Sequence, residues 1–181
     1  MRFVFDGQKS AQAAAYLLKL ADGEMHHIHL VKLLYLADRQ SLIETGYPIT
    51  GARMVSTDNG PALSEVYSSL AGDPAESAWN ELIADKAEHR VGLRHEPDWQ
   101  KLSKYEMALF DRVFTRWGRW SHFDLVKYTS GLPEWHDPDG SSMPIDVREI
   151  LIDAGKSPQE IDDIAGVAES VRSLHQMMAT G

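Results

Sequence analysis

Residues 29–67 read HLVKLLYLADRQSLIETGYPITGARMVSTDNGPALSEVY, and the first half of that stretch decides the fold. From Ile28 to Ile43 the apolar residues are Ile28, Leu30, Val31, Leu33, Leu34, Leu36, Ala37, Leu42 and Ile43. Around Leu30 to Ala37 they cover most of the helical circumference and do not keep to one stripe. A helix that is apolar nearly all round is a buried one. The run is too short to cross a membrane, and Lys32, Asp38 and Arg39 interrupt it. The expectation is a central post wrapped by the rest of the chain.

Gly46 ends this helix, because glycine takes the left-handed conformation that a helix stop needs. Pro48 follows and cannot continue it. Ile49-Thr50 and Arg53 to Thr57 are candidate short strands about Gly51. Asp58-Asn59-Gly60-Pro61 is a strong turn signal, since Asn and Gly tolerate positive φ and Pro presets its own. Pro61 also suits the first turn of a helix over Ala62 to Leu70, which carries Leu63, Val66, Tyr67 and Leu70.

Three pieces of this stretch, in this order, carry a resemblance. They are Lys32-Leu33-Leu34-Tyr35-Leu36-Ala37-Asp38, the Gly46-x-Pro48-Ile49 run, and Gly60-Pro61 followed by Val66-Tyr67. The set resembles the Panacea domain, the SocA-like family of bacterial and phage antitoxins. It is strongest over residues 10–70 and weaker over 120–150. There Leu125-Val126-Lys127-Tyr128-Thr129 and Pro133-Glu134-Trp135 resemble the family's second signature. That signature often carries a His after the Thr, where this chain has Ser130. Any role of that His would have to be done without here.

The resemblance implies an antitoxin encoded beside a toxin, which it neutralises by direct binding. It also implies, for some members, an adaptor role that hands the toxin to an ATP-dependent protease such as ClpXP. The motif residues His29, Lys32, Leu33, Leu34, Tyr35, Gly46, Pro48, Gly60, Pro61, Tyr67, Pro133 and Trp135 are then structural or partner-binding. Neither enzyme chemistry nor a cofactor is implied.

The formal net charge of −9 argues against nucleic acid as the main ligand, because phosphate contacts need clustered Lys and Arg. An acidic surface favours a basic protein partner through steering. The chain holds no cysteine, which excludes disulfides and thiolate zinc sites. Met1 to Phe5 is too short for the apolar segment of a signal peptide, and Asp6 follows at once. A cytoplasmic location is expected.

Elsewhere the pattern is helical. Arg2 to Phe5 reads as a short strand or a loose end. Gln8 to Leu20 reads as a helix with Tyr16, Leu17 and Leu20 inward, closed by Gly23. Gly72-Asp73-Pro74 stops the helix over 62–70, Ala75 to Ala84 forms a short helix, and His89 to His95 a strand. Ser103 to Glu106 is a capping box opening a helix to Trp117, and Ser121 to Asp124 caps a shorter one through Thr129, ended by Gly131. His136 to Pro144 reads as a surface turn, and Asp146 to Ala154 as a helix ended by Gly155. Ser157-Pro158-Gln159-Glu160 caps a last helix. Its stripe, Ile161, Ile164, Ala168, Val171, Leu174 and Met178, docks on a core, a partner or a second copy. The expected fold is mainly α: one domain over residues 1–181, a helical bundle around the buried central helix, with a small β-hairpin or short extended segments.

Several constellations invite chemistry. His26, His27 and His29 cluster at the start of the central helix, but ligands on one helical face need three or four residues between them, so no metal site is expected. No nucleophile elbow, phosphate loop or dinucleotide fingerprint is present. Asp124, Asp137, Asp139 and Asp146 sit at loops and caps, where acids serve helix dipoles. The helices over 104–129 admit a helix-turn-helix and hence a DNA-binding regulator as the alternative function, although Lys127 is the second helix's only clear cation. For partner contacts the candidates are Tyr35 with Arg39, one turn apart, and the loop-side rings Trp120 and Trp135.

Overall fold

The computed structural model describes residues 1–72 and 77–179. The chain opens as an extended segment rather than a strand. It is pinned where the Asp6 amide donates to the Thr50 carbonyl at 3.0 Å. Asp6 then caps α1 (Gly7–Leu20), accepting from the Lys9 amide. The inward face of α1 is mostly alanine, with Ala11, Ala13, Ala14 and Ala15 buried beside Leu17 and Leu18. Small side chains there let α1 approach its neighbours closely.

β1 (Glu24–His26) leads into α2 (His27–Thr45), the expected post. Every residue from Leu30 to Asp38 is buried. α1, α5 (Lys104–Trp117), α6 (His122–Thr129) and α7 (Val147–Asp153) all pack on it. Gly46 closes it at φ 79°, its amide donating to the Leu42 carbonyl. Two of the three charges that make this helix unfit for a membrane, Lys32 and Asp38, are themselves fully buried.

The next segment departs from expectation. The strands are β2 (Met54–Thr57) and β3 (Gly60–Leu63), paired antiparallel from Met54↔Leu63 to Thr57↔Gly60. Ile49-Thr50 is not one of them. Asp58 and Asn59 turn the chain, and Gly60 at φ 87° completes the reversal. Pro61-Ala62-Leu63 therefore runs back as an edge strand, and α3 (Ser64–Leu70) starts later than Ala62. An edge position suits Pro61, which has no amide hydrogen to offer a further strand.

Met143-Pro144, expected within a surface turn, forms β6 and pairs with β2 on its other side. The second sheet has the order β1-β5-β4, with β5 (Arg90–Leu93) between β1 and β4 (Ile83–Asp85). α4 (Ser77–Leu82) stops at Leu82 because Ile83 to Asp85 pair with β5. Asp73-Pro74 and the expected helix residues Ala75 and Glu76 lie outside the described residues. The fold is thus mainly helical with two small antiparallel sheets.

The second half follows its caps. At Ser103 the side chain accepts from the Glu106 amide while Glu106 reaches back to the Ser103 amide. Ser157 and Glu160 repeat the exchange ahead of α8 (Pro158–Ala179). Only the start of the α8 stripe docks: Ile161 and Ala168 are buried, and Ile164 packs on Gly46. Leu174 is 59% exposed and Met178 76% exposed.

Candidate functional site

α2 carries Lys32, Tyr35, Asp38 and Arg39 along the side that meets the hairpin and the residues after α6. Each is tied by a polar contact. Lys32 Nζ donates to the Pro61 carbonyl at 2.7 Å. Burial pushes its ammonium down to about 7. Beside it, a Cβ on Gly60 would fall 2.9 Å from both Thr129 Oγ1 and Ser130 Oγ and 3.2 Å from Lys32 Nζ. Only glycine allows the hairpin tip to sit this close to α2 and α6. Ser130, in the place of the family's frequent His, thus borders the hairpin tip.

Tyr35 donates its hydroxyl to Glu134 Oε1 at 2.6 Å. Arg39 reaches the same carboxylate with two donors, Nε to Oε1 at 2.7 Å and an Nη to Oε2 at 3.2 Å, and also bonds Asp153. Glu134 is fully buried, so these donors replace the water it has lost. Burial, and then the Glu134 charge, hold the Tyr35 hydroxyl far above its ordinary pKa. One turn along, Asp38 accepts from the amide and hydroxyl of Thr50, and burial still pushes its carboxyl up to about 7. Trp135 completes the seam, its Nε1 donating to the Thr57 carbonyl at 3.1 Å.

Most of the signature residues therefore converge inward, while Lys127 and Pro133 stay exposed. Leu33, Leu34 and Pro48 lie in the core, and Tyr67 is half-buried with its hydroxyl pKa raised by burial. His29 is half-buried, and burial lowers its pKa. Tyr35, read from the sequence as a partner contact, is fully buried and offers no surface. Arg39 keeps only 13% of its side chain exposed and is engaged by two acids. Trp135 is half-buried and Pro133 exposed. Glu134, passed over as a site residue, is the hub of the network; its place between Pro133 and Trp135 was the available signal.

Histidines gather at another place. His26 stacks on His122 with ring centroids 4.1 Å apart, and His27 and His89 lie alongside. Burial, followed by the charges of His122, His27, His89 and Arg90, lowers His26 to about 4. Among the described residues no group of three or more His, Asp or Glu is arranged to hold a metal ion.

Past the end of α5 the character changes. Trp120 is 40% exposed and Phe123, on α6, is 73% exposed. An open groove of about 600 Å³ is lined by Arg119, Trp120, Ser121, Asp124, Lys127 and Tyr128. The outer face of α6 shows Phe123, Asp124 and Lys127. Of the ring candidates for partner contact, Trp120 is the one the fold leaves exposed. None of the described helices is long and apolar enough to cross a membrane.

The family model of the antitoxin SocA-like Panacea domain matches residues 30–136. That span begins inside α2 and closes just after Trp135, so it takes in the whole α2–hairpin–Glu134 seam and leaves α1, α7 and α8 outside. No curated protein and no solved structure matches the chain.

Proposed function

The chain belongs to the antitoxin SocA-like Panacea domain family, and from that premise we propose that it binds a cognate protein toxin directly and neutralises it. The family match over residues 30–136 carries this reading. The seam supports it: Lys32, Tyr35, Asp38 and Glu134 are consumed by internal ties, so recognition falls to the outer surface. In this proposal the protein works by binding, without catalysis. A second step, delivery of the bound toxin to an ATP-dependent protease, follows from the same premise.

Co-expression with the product of the open reading frame adjacent to its gene tests the first step. That product alone should arrest growth; together with this chain, growth should return and the two proteins should co-purify. An arrest that the chain does not relieve contradicts the proposal. For the second step, the half-life of the toxin should shorten when the chain is present in protease-proficient cells. Equal half-lives with and without the protease contradict delivery and leave masking as the mode of neutralisation.

A further inference from the structure

We propose that the toxin is gripped at the corner where α5 meets α6, through an acidic segment of the toxin that carries a large apolar side chain. This rests on the antitoxin reading and adds to it the place and the chemistry of the contact.

The corner combines what anchors a protein interface. Trp120 and Phe123 are exposed, and Trp, Tyr and Arg dominate binding energy at protein contacts. The Trp120 ring is not loose: Tyr128 meets it edge-on at 5.6 Å, and Tyr128 in turn lies 5.7 Å from the buried Trp117. A ring fixed before binding loses little freedom on binding.

Charge selects the partner. Arg116, Arg119 and Lys127 are exposed and make no ion pair among the described residues. Arg90 and Arg112, by contrast, are each held by a glutamate. The acid within the groove, Asp124, is occupied at the start of α6, accepting the Ser121 hydroxyl at 2.7 Å. Asp124 keeps its charge, and the local excess is carried by Arg119 and Lys127 together outnumbering this one carboxylate in the groove, on a chain of net charge −9. Screening over about 8 Å at physiological salt lets this local sign, not the overall one, govern what docks there. A basic segment would be repelled. Duplex DNA is disfavoured because α6 presents Phe123 and Asp124 where a base reader needs Arg, Asn or Gln. The exposed end of the α8 stripe, with Leu174 and Met178, has no comparable charge to specify an occupant.

The test titrates the purified adjacent-frame product into four full-length proteins, each first shown to melt cooperatively. They are wild type, Arg119→Glu/Lys127→Glu, Phe123→Ala, and Leu174→Ser on α8. Wild type should bind, more weakly as salt is raised. The double reversal and Phe123→Ala should each lose on the order of tenfold or more in affinity, and Leu174→Ser should match wild type. If wild type does not bind, the antitoxin reading falls and this inference with it. If wild type binds and both corner variants bind equally well, only the corner is wrong. Retention of a duplex DNA fragment by wild type that the double reversal abolishes would overturn it in favour of a nucleic-acid surface.

Discussion

Glu134 is a buried carboxylate whose two donors, Tyr35 and Arg39, come from the central helix. Removing it strands the Tyr35 hydroxyl and leaves Arg39 with Asp153 alone. Glu134→Ala should cost about 3–5 kcal/mol in urea unfolding, because a nearly buried cation loses its bidentate partner and a buried hydroxyl its acceptor. Tyr35→Phe, which deletes one hydrogen bond to a charged acceptor, should cost nearer 1.5–3 kcal/mol. Equal, small losses for the two would mean that the carboxylate is solvated and the seam open. Lys32 and Asp38 make a second, pH-dependent prediction. An unfolded Asp38 ionises near 3.8, while the folded one keeps its proton to about 7. Its contribution is thus lost as pH rises from about 4 to 7, and Asp38→Asn should gain on wild type across that window. An unfolded Lys32 stays charged to 10.5, while the folded one releases its proton near 7. Its penalty is full below 7 and relieved above, so any advantage of Lys32→Met should shrink from pH 7 to 10. Stability differences that do not vary with pH would contradict both.

At the scale of elements, what was legible in the sequence was local. Helix starts such as Ser103–Glu106 and Ser157–Glu160 are written in neighbouring residues, and the all-round apolarity of α2 needs no distant partner to be read. The hairpin was harder. Gly60-Pro61 reads equally as a helix entrance and as a strand after a turn, and only the return of Ala62 and Leu63 onto Val55 and Met54 decides it. β6 was hidden altogether, because Met143-Pro144 becomes a strand only through distant β2. Tyr35 shows the same limit at the site. A tyrosine on an apolar helix is core or interface according to whether something buried takes its hydroxyl, and Glu134 comes from far along the chain. Gly60→Ala should cost more than about 1 kcal/mol, since it adds a left-handed strain to a clash with Thr129 and Ser130. Leu34→Ala should cost about 2–5 kcal/mol, whereas Leu174→Ser, on the exposed end of α8, should stay within roughly 0.5 kcal/mol. A large loss at Leu174 would show that this end packs against something.

Over the whole molecule, polar side chains divide into two roles. Lys32, Tyr35, Asp38 and Glu134 of the family signatures face inward and bind α2 to the hairpin, to Thr50 and to the residues around Glu134; they set the shape. Those at the end of α5 and on α6 face outward with unpaired cations and aromatic rings. The overall charge, read from the sequence, pointed to a basic partner, but it averages over a surface whose sign varies from place to place. On the proposed function, such a chain would take its recognition from the exterior and its stability from the buried signature residues. Calorimetric titration of the adjacent-frame product into the purified chain tests that most directly. Saturable binding at a fixed stoichiometry is the predicted result, and a toxic product that gives no saturable heat would contradict it.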